Sequence, residues 1–393
     1  MLLLIALMPL QLLLAQDSLH TDNMHKQVDV IDIYRSVTKK QSARSDTNEV
    51  HISGLPAAGY STATGFAVVL SAQAAFYVDK HHAADDKVSN AIVSLTYSQY
   101  SQIIFPIQTS IWTKNDKYNI ITDWRYLKYP STTFGLGGNS NINNGYTINF
   151  NYAKIHQSIL KSFTRDLFGG IGYYYDYFWN VRQVNPPAGV VTSFQRYGLT
   201  NTVTASGIAF RLLYDSRINQ INPTHGWYSN IVYRPNFTFM GSDNNWQSLL
   251  IELRKYVHFP GSSKNVLAFW SYNWLTVGGK PPYLLLPSTG WDDFYNTGRG
   301  YVQGRYRGKN MLYLESEYRF GITNNGLIGG VVFANAESFP KSISQELNPT
   351  IAPAMGAGLR LKLNKYSKTN LCIDYGIGIQ GSHGVAVNLG EVF

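Results

Sequence analysis

From about Val50 to Phe393 the apolar residues keep a period of two, segment after segment. That alternation puts successive side chains on opposite faces of a strand, so one face meets an apolar phase and the other stays polar. Near the C-terminus, TNLCIDYGIGIQ sets Leu371, Ile373, Tyr375, Ile377 and Ile379 against Asn370, Cys372, Asp374, Gly376 and Gly378. In MLYLESEYRFGI, Leu312, Leu314, Tyr318 and Phe320 oppose Tyr313, Glu315, Glu317 and Arg319. QSLLIELRKYVHF repeats the pattern, interrupted only by Lys255 on its apolar face. Charges recurring on the second face describe a wet lumen better than a packed core.

Composition narrows the choice. Charged residues make up 15% of the 393, against roughly 25% in soluble domains. Mean hydropathy is only −0.17 although aromatics reach 14%. A strand that faces lipid on one side and water on the other averages out in this way. After residue 16 no run approaches the roughly 18 uncharged apolar residues of a spanning helix.

Sixteen candidate strands fall near 50–60, 64–78, 90–100, 103–113, 117–129, 147–160, 167–181, 204–216, 227–240, 246–259, 264–278, 310–322, 326–338, 352–364, 369–380 and 383–393. The expected fold is all-β: a sixteen-stranded antiparallel transmembrane barrel over residues 50–393. An even count closes without an unpaired edge and puts both termini on one side, the periplasm of an outer-membrane barrel. The short turns KNDK, PGSSK, TNNG and KYSK fall on that side. Tyr126, Tyr129, Trp179 and Trp227 lie near strand ends, where interfacial girdles form. A soluble propeller would need a repeat of about 40–50 residues, and none is seen.

Ahead of the barrel, MLLLIALMPLQLLLAQ (residues 1–16) resembles a secretory signal cleaved near Ala15 or Gln16, without a basic start. Residues 17–49 are a short periplasmic segment, either carrying a helix around Val28–Val37 or acting as a tether. The single cysteine, Cys372, excludes an intramolecular disulfide framework. Basic residues spread evenly give no nucleic-acid footprint despite a net charge of +9. KHHAADDK (80–87) reads as a solvated turn, because adjacent histidines of an extended chain diverge. His156 and His225 have no recognisable serine and acid partners, so no enzyme, metal or cofactor is expected.

The longest connection, about 279–309, contains GRGYVQGRYRGKN, rich in glycine and arginine. Connections of that length are usually functional or disordered. The following strand turns Glu315 and Glu317 to the wet face, where a loop folded back into the lumen brings Arg299 to a carboxylate.

At this point the chain resembles the outer-membrane assembly barrels related to BamA and TamA, the bacterial surface antigens, over about 54–393. Gly298-Arg299-Gly300-Tyr301 is similar to the V/I-R-G-F/Y motif of their sixth extracellular loop, with Gly in place of the aliphatic residue. By resemblance Arg299 latches that loop in the lumen through Glu317 and Asn335, where the family often has Asp. Glu315 and Arg319 read instead as a ladder that holds the wall. Asp215 and Arg217, followed by Pro223 and Gly226, resemble the family's D-x-R…P-x-x-G periplasmic turn. The last segment, with Val385, Val387, Leu389 and Phe393 on one face and Glu391 at the rim, resembles the aromatic-ended strand read during barrel assembly. Pro56, Tyr60-Ser61 and Thr64-Gly65-Phe66 resemble the lead-in to the first barrel strand. That match favours a second register in which 64–78 is first and 190–199 supplies the sixteenth strand.

The resemblance implies an outer-membrane protein without cofactor, engaged in assembly, insertion or translocation. Its implied partners are membrane lipids, unfolded or secreted clients and accessory envelope subunits, with no nucleic acid. The family's POTRA domains do not fit into residues 17–49, so the likeness is to its short members. A gated pore and a structural subunit of a surface complex are the alternatives.

Overall fold

The computed structural model describes residues 27–38, 51–61, 63–79, 87–186, 188–217, 219–342, 345–365 and 367–393. The proposed signal and most of KHHAADDK lie outside these residues.

Strands β1 (His51–Ser61), β2 (Gly65–Phe76), β3 (Ser89–Ser98), β4 (Ile103–Trp112) and β5 (Tyr118–Lys128) open the barrel. A three-residue β6 (Ser131–Thr133) precedes β7 (Tyr146–Ser162), β8 (Leu167–Val184), β9 (Val203–Asp215) and β10 (Gly226–Asn236). Then come β11 (Trp246–His258), β12 (Val266–Gly279), β13 (Asn310–Gly321), β14 (Ile328–Ser342), β15 (Gln345–Asn364), β16 (Thr369–Gly378) and β17 (His383–Leu389). Apart from β6, which extends the edge beside β7, these are sixteen long antiparallel strands, each paired with its sequence neighbours.

The two end strands are the exception. Among the described residues no ladder joins β1 to β17, although they approach closely: a Cβ placed on Gly59 lies 3.7 Å from the Val387 Cβ. The barrel is nearly closed, with its discontinuity at this seam.

The two faces separate as alternation dictates. Leu314 and Ile377 are 63% and 54% exposed, whereas Glu315, Glu317 and Asp374 on the opposite face are buried. An apolar outer band is what a barrel in lipid requires. Lys255 stays on that band by lying 4.3 Å from the ring centre of Trp227, which shields its ammonium.

Two expectations are corrected. The register that makes 64–78 the first strand fails, because β1 pairs with β2 along its whole length and α2 (Ser193–Gly198) occupies the proposed extra strand. Thr192 and Gln195 form a capping box, which starts a helix rather than a strand. Tyr129 is no girdle residue: it is buried and donates to Gln303 Oε1 at 2.6 Å. Tyr126 and Trp227 remain exposed.

The leading segment forms α1 (Val30–Thr38), which lies against the β15–β16 turn. Lys365 Nζ is 2.8 Å from Asp32 Oδ2, and the Lys365 amide donates to Asp29 Oδ2 at 2.8 Å.

Candidate functional site: the arginine of the long connection

Residues 280–309 join β12 to β13 and pack along the buried faces of the wall. Asp292 folds the middle of the connection by accepting the amides of Asn296 and Thr297 at 2.9 and 2.7 Å. Arg305 staples it outward, donating to Ser140 Oγ at 2.8 Å and to Gln380 Oε1 at 2.6 Å. Arg307 donates to the Tyr283 carbonyl at 3.1 Å. Arg305 and Arg307 are therefore spent on a hydroxyl, an amide oxygen and carbonyls of the chain itself.

Gly298 and Gly300 set up the approach of Arg299. Gly298 has φ +76, and a Cβ there meets Thr289 at 2.5 Å, so the bulky residue of the resembled motif has no room here. Gly300, with φ +107, presses its backbone on β16, where a Cβ on Gly376 lies 2.7 Å from the Gly300 nitrogen. Backbone contact this close requires glycine on both sides.

Arg299 then reaches three carboxylates. Its guanidinium donates to Asp374 Oδ2 at 2.7 Å, to Glu317 Oε2 at 2.5 Å and to Glu315. It also lies 3.8 Å from the ring centre of Phe333. All four charged groups are buried. Tyr301 fixes the next residue by donating to the Pro353 carbonyl at 2.6 Å and accepting the Ile379 amide at 3.2 Å. Burial pushes the Tyr301 phenol up to about 12, so it keeps the proton it donates.

Of the two partners read from sequence, Glu317 bonds the guanidinium directly. Asn335 does not accept from it; its Nδ2 donates to the Arg299 carbonyl at 2.9 Å. Glu315, read as part of a wall ladder, bonds Arg299 itself. Asp374 was missed. It lies on β16, and only the ladders from β13 through β16 bring it beside the connection.

The D-x-R turn also holds together. Arg217 makes a bidentate pair with Asp215, both bonds 2.9 Å, and stacks 4.2 Å from the ring centre of Tyr228. The Pro223 carbonyl accepts from Arg319 at 3.1 Å. Gly226, at φ +102, ends this connection.

The last segment departs from expectation. β17 stops at Leu389, with Val387 and Leu389 exposed. Gly390, at φ +88, turns the chain away from the sheet, and Glu391, Val392 and Phe393 run inward. Phe393 is buried against Trp270, ring centres 5.2 Å apart, and its main-chain oxygen accepts from Arg319 at 2.8 Å. Glu391 turns its side chain inward, where it bonds Arg360 at 2.8 Å and Asn370 at 2.7 Å.

His156 does have an acid partner, 3.1 Å from both oxygens of Asp176, but Ser158 donates to the Tyr174 hydroxyl instead of serving the imidazole. Nearby a cavity of about 440 Å³ lies between the first strands, the connection and the tail, lined by Lys154, His156, Tyr228, Arg234, Trp291 and Phe393 among others.

These features define a class: a sixteen-strand antiparallel barrel whose longest connection is bound to the wall, with one arginine, Arg299, paired to three buried carboxylates of it. Residues 71–386 match the model of the Omp85 superfamily domain, and the chain belongs to the Omp85 superfamily. Among solved structures it is similar to BamA from Haemophilus ducreyi lacking POTRA domains 1–3, with 13% identity, a TM-score of 0.56, and coverage of 88% of this chain and 71% of that one. It is also similar to CdiB from Escherichia coli, with 12% identity, TM-score 0.53 and coverage of 88% and 64%. CdiB from Acinetobacter baumannii gives 11%, 0.51, and 88% and 66%. The chain thus spans just under two thirds of the two CdiB chains. No curated protein matches the sequence. Identities this low speak for the fold alone.

Proposed function

We propose that the protein is an outer-membrane barrel that assists the insertion or translocation of client polypeptides at the seam between β1 and β17. The carrying observation is that, among the described residues, no ladder joins the strands at that seam, whereas the other neighbouring long strands are hydrogen-bonded to each other. An unpaired strand edge is a template for a client strand. The mechanism is pairing and release, with no covalent step. The connection 280–309 occupies the lumen, and Arg299 acts as its latch, stiffening the β12–β16 wall while the seam parts. Both termini lie in the periplasm, residues 50–393 form the barrel, residues 17–49 precede it as a short periplasmic segment, and the partners are membrane lipids, unfolded or secreted clients and accessory envelope subunits. The turn at Asp215, Arg217, Pro223 and Gly226 braces the periplasmic end, and Val385, Val387, Leu389 and Phe393 serve as the assembly signal.

The test is the folding of a small urea-unfolded barrel protein in liposomes carrying this protein, timed against empty liposomes and an unrelated porin. Clear acceleration supports the proposal, and equal rates overturn it.

The cavity of about 440 Å³ favours a second reading, a gated pore. That reading predicts solute flux that rises on shortening 280–309, with no effect on client folding.

A further inference from the structure

Six of the buried charges form a closed alternating ring. Arg299 bonds Asp374 at 2.7 Å, and Asp374 accepts from Arg360 at 2.6 Å. Arg360 bonds Glu391 at 2.8 Å, and Glu391 lies 3.7 Å from Arg319. Arg319 bonds Glu317 at 2.5 Å, and Glu317 returns to Arg299 at 2.5 Å. Each arginine stands between two carboxylates, and each carboxylate between two arginines. Glu315 adds a fourth carboxylate at Arg299.

The members come from separate parts. Arg299 belongs to the long connection, Glu317 and Arg319 to β13, Arg360 to β15 and Asp374 to β16. Glu391 belongs to the tail that continues the seam strand β17. Arg319 extends the ring to the main-chain oxygens of Phe393 and Pro223. A parallel direct route exists: Asn296 Nδ2 donates to the Val392 carbonyl at 2.8 Å, and Asn388 donates to Asn296 at 3.1 Å.

We propose that this ring couples the long connection to the C-terminal tail, so that neither is released without loosening the other. The reason is the sharing of partners in a buried site. When Glu391 leaves, Arg360 and Arg319 each lose one carboxylate and draw harder on Asp374 and Glu317, the two that hold Arg299. When Arg299 leaves, the same two carboxylates are freed to pull Arg360 and Arg319 away from Glu391. Buried charges left without a partner are costly, so rearrangement spreads around the ring. Coupling of this kind is reciprocal. As regulation of the seam, this rests on the proposed reading of β17 as a moving strand. The coupling itself does not.

The native cysteine reports on the tail. Cys372 is buried, and its thiol donates to the Gly390 carbonyl at 3.1 Å, beneath the turn that starts the tail. The experiment measures two rates in the purified folded barrel with no client present: labelling of Cys372 by a polar maleimide and trypsin cleavage within 280–309. Arg299→Ala is expected to raise Cys372 labelling at least about fivefold, and Glu391→Gln to raise loop cleavage by a similar factor. Both effects are expected to persist in an Asn296→Ala background, which removes the direct route. Heat-dependent gel migration establishes that each variant is folded. If Arg299→Ala does not fold, Arg299→Lys replaces it, since it keeps the charge but not the fork. A folded Glu391→Gln barrel with wild-type loop cleavage overturns the proposal. So does loss of both effects in the Asn296→Ala background. If the coupling holds while liposomes show no assisted folding, the functional reading fails and the coupling stands.

Discussion

Arg299 and Asp374 are 75 positions apart in the chain, and their side chains are 2.7 Å apart. That bond joins the turn of the long connection to the strand beside the seam strand. It makes the connection part of the wall rather than a cover laid over it.

Arg299→Ala leaves Glu315, Glu317 and Asp374 buried without their shared cation. Removing one partner of a buried ion pair costs about 3–5 kcal/mol. The expected result is a lower temperature for the heat-dependent gel shift and faster proteolysis of 280–309. A variant that matches wild type in both shows that the arginine is no latch.

Gly376→Ala tests the backbone contact. The added methyl would sit 2.7 Å from the Gly300 nitrogen. Overpacking of this sort costs about 1–3 kcal/mol. The outer band is untouched, so the barrel is expected to fold while loop protection from protease falls.

Asn335→Asp tests the donor role of the amide. Aspartate cannot donate to the Arg299 carbonyl, now bonded at 2.9 Å, and it adds a carboxylate to a site that already has four around three arginines. A loss of about 1–3 kcal/mol is expected from the broken buried bond, read as a lower gel-shift midpoint. An unchanged or raised midpoint would mean that the residue acts on the guanidinium after all.

The strands were legible because alternation is a local property. Leu312 to Phe320 and Leu371 to Ile379 announce their faces without help from the rest of the chain. Alternation put Glu315 and Glu317 on the wet face within reach of Arg299, and a resemblance carried by four residues singled out Glu317 as its partner. Asp374 was not legible, since its place beside Arg299 depends on the registers of three ladders and on two facing glycines. The fate of Phe393 hung on one dihedral, the positive φ of Gly390, which sends an apparently continuous strand inward. The helix at Ser193–Gly198 did leave a signal, the Thr192/Gln195 capping box, but the alternation of VVTSFQRYGLT obscured it.

The seam carries the functional account, and its geometry allows it to be locked. Gly59 and Val387 face each other with Cβ positions 3.7 Å apart, within the roughly 3.5–4.5 Å that a disulfide spans. The decisive measurement is assisted folding of an unfolded barrel client in liposomes by Gly59→Cys/Val387→Cys protein in a Cys372→Ala background, oxidised and then reduced. The account predicts acceleration by the reduced form, loss of it on oxidation and recovery with reductant. Equal acceleration by the oxidised and reduced forms would contradict it, because the seam would then have no part in the work.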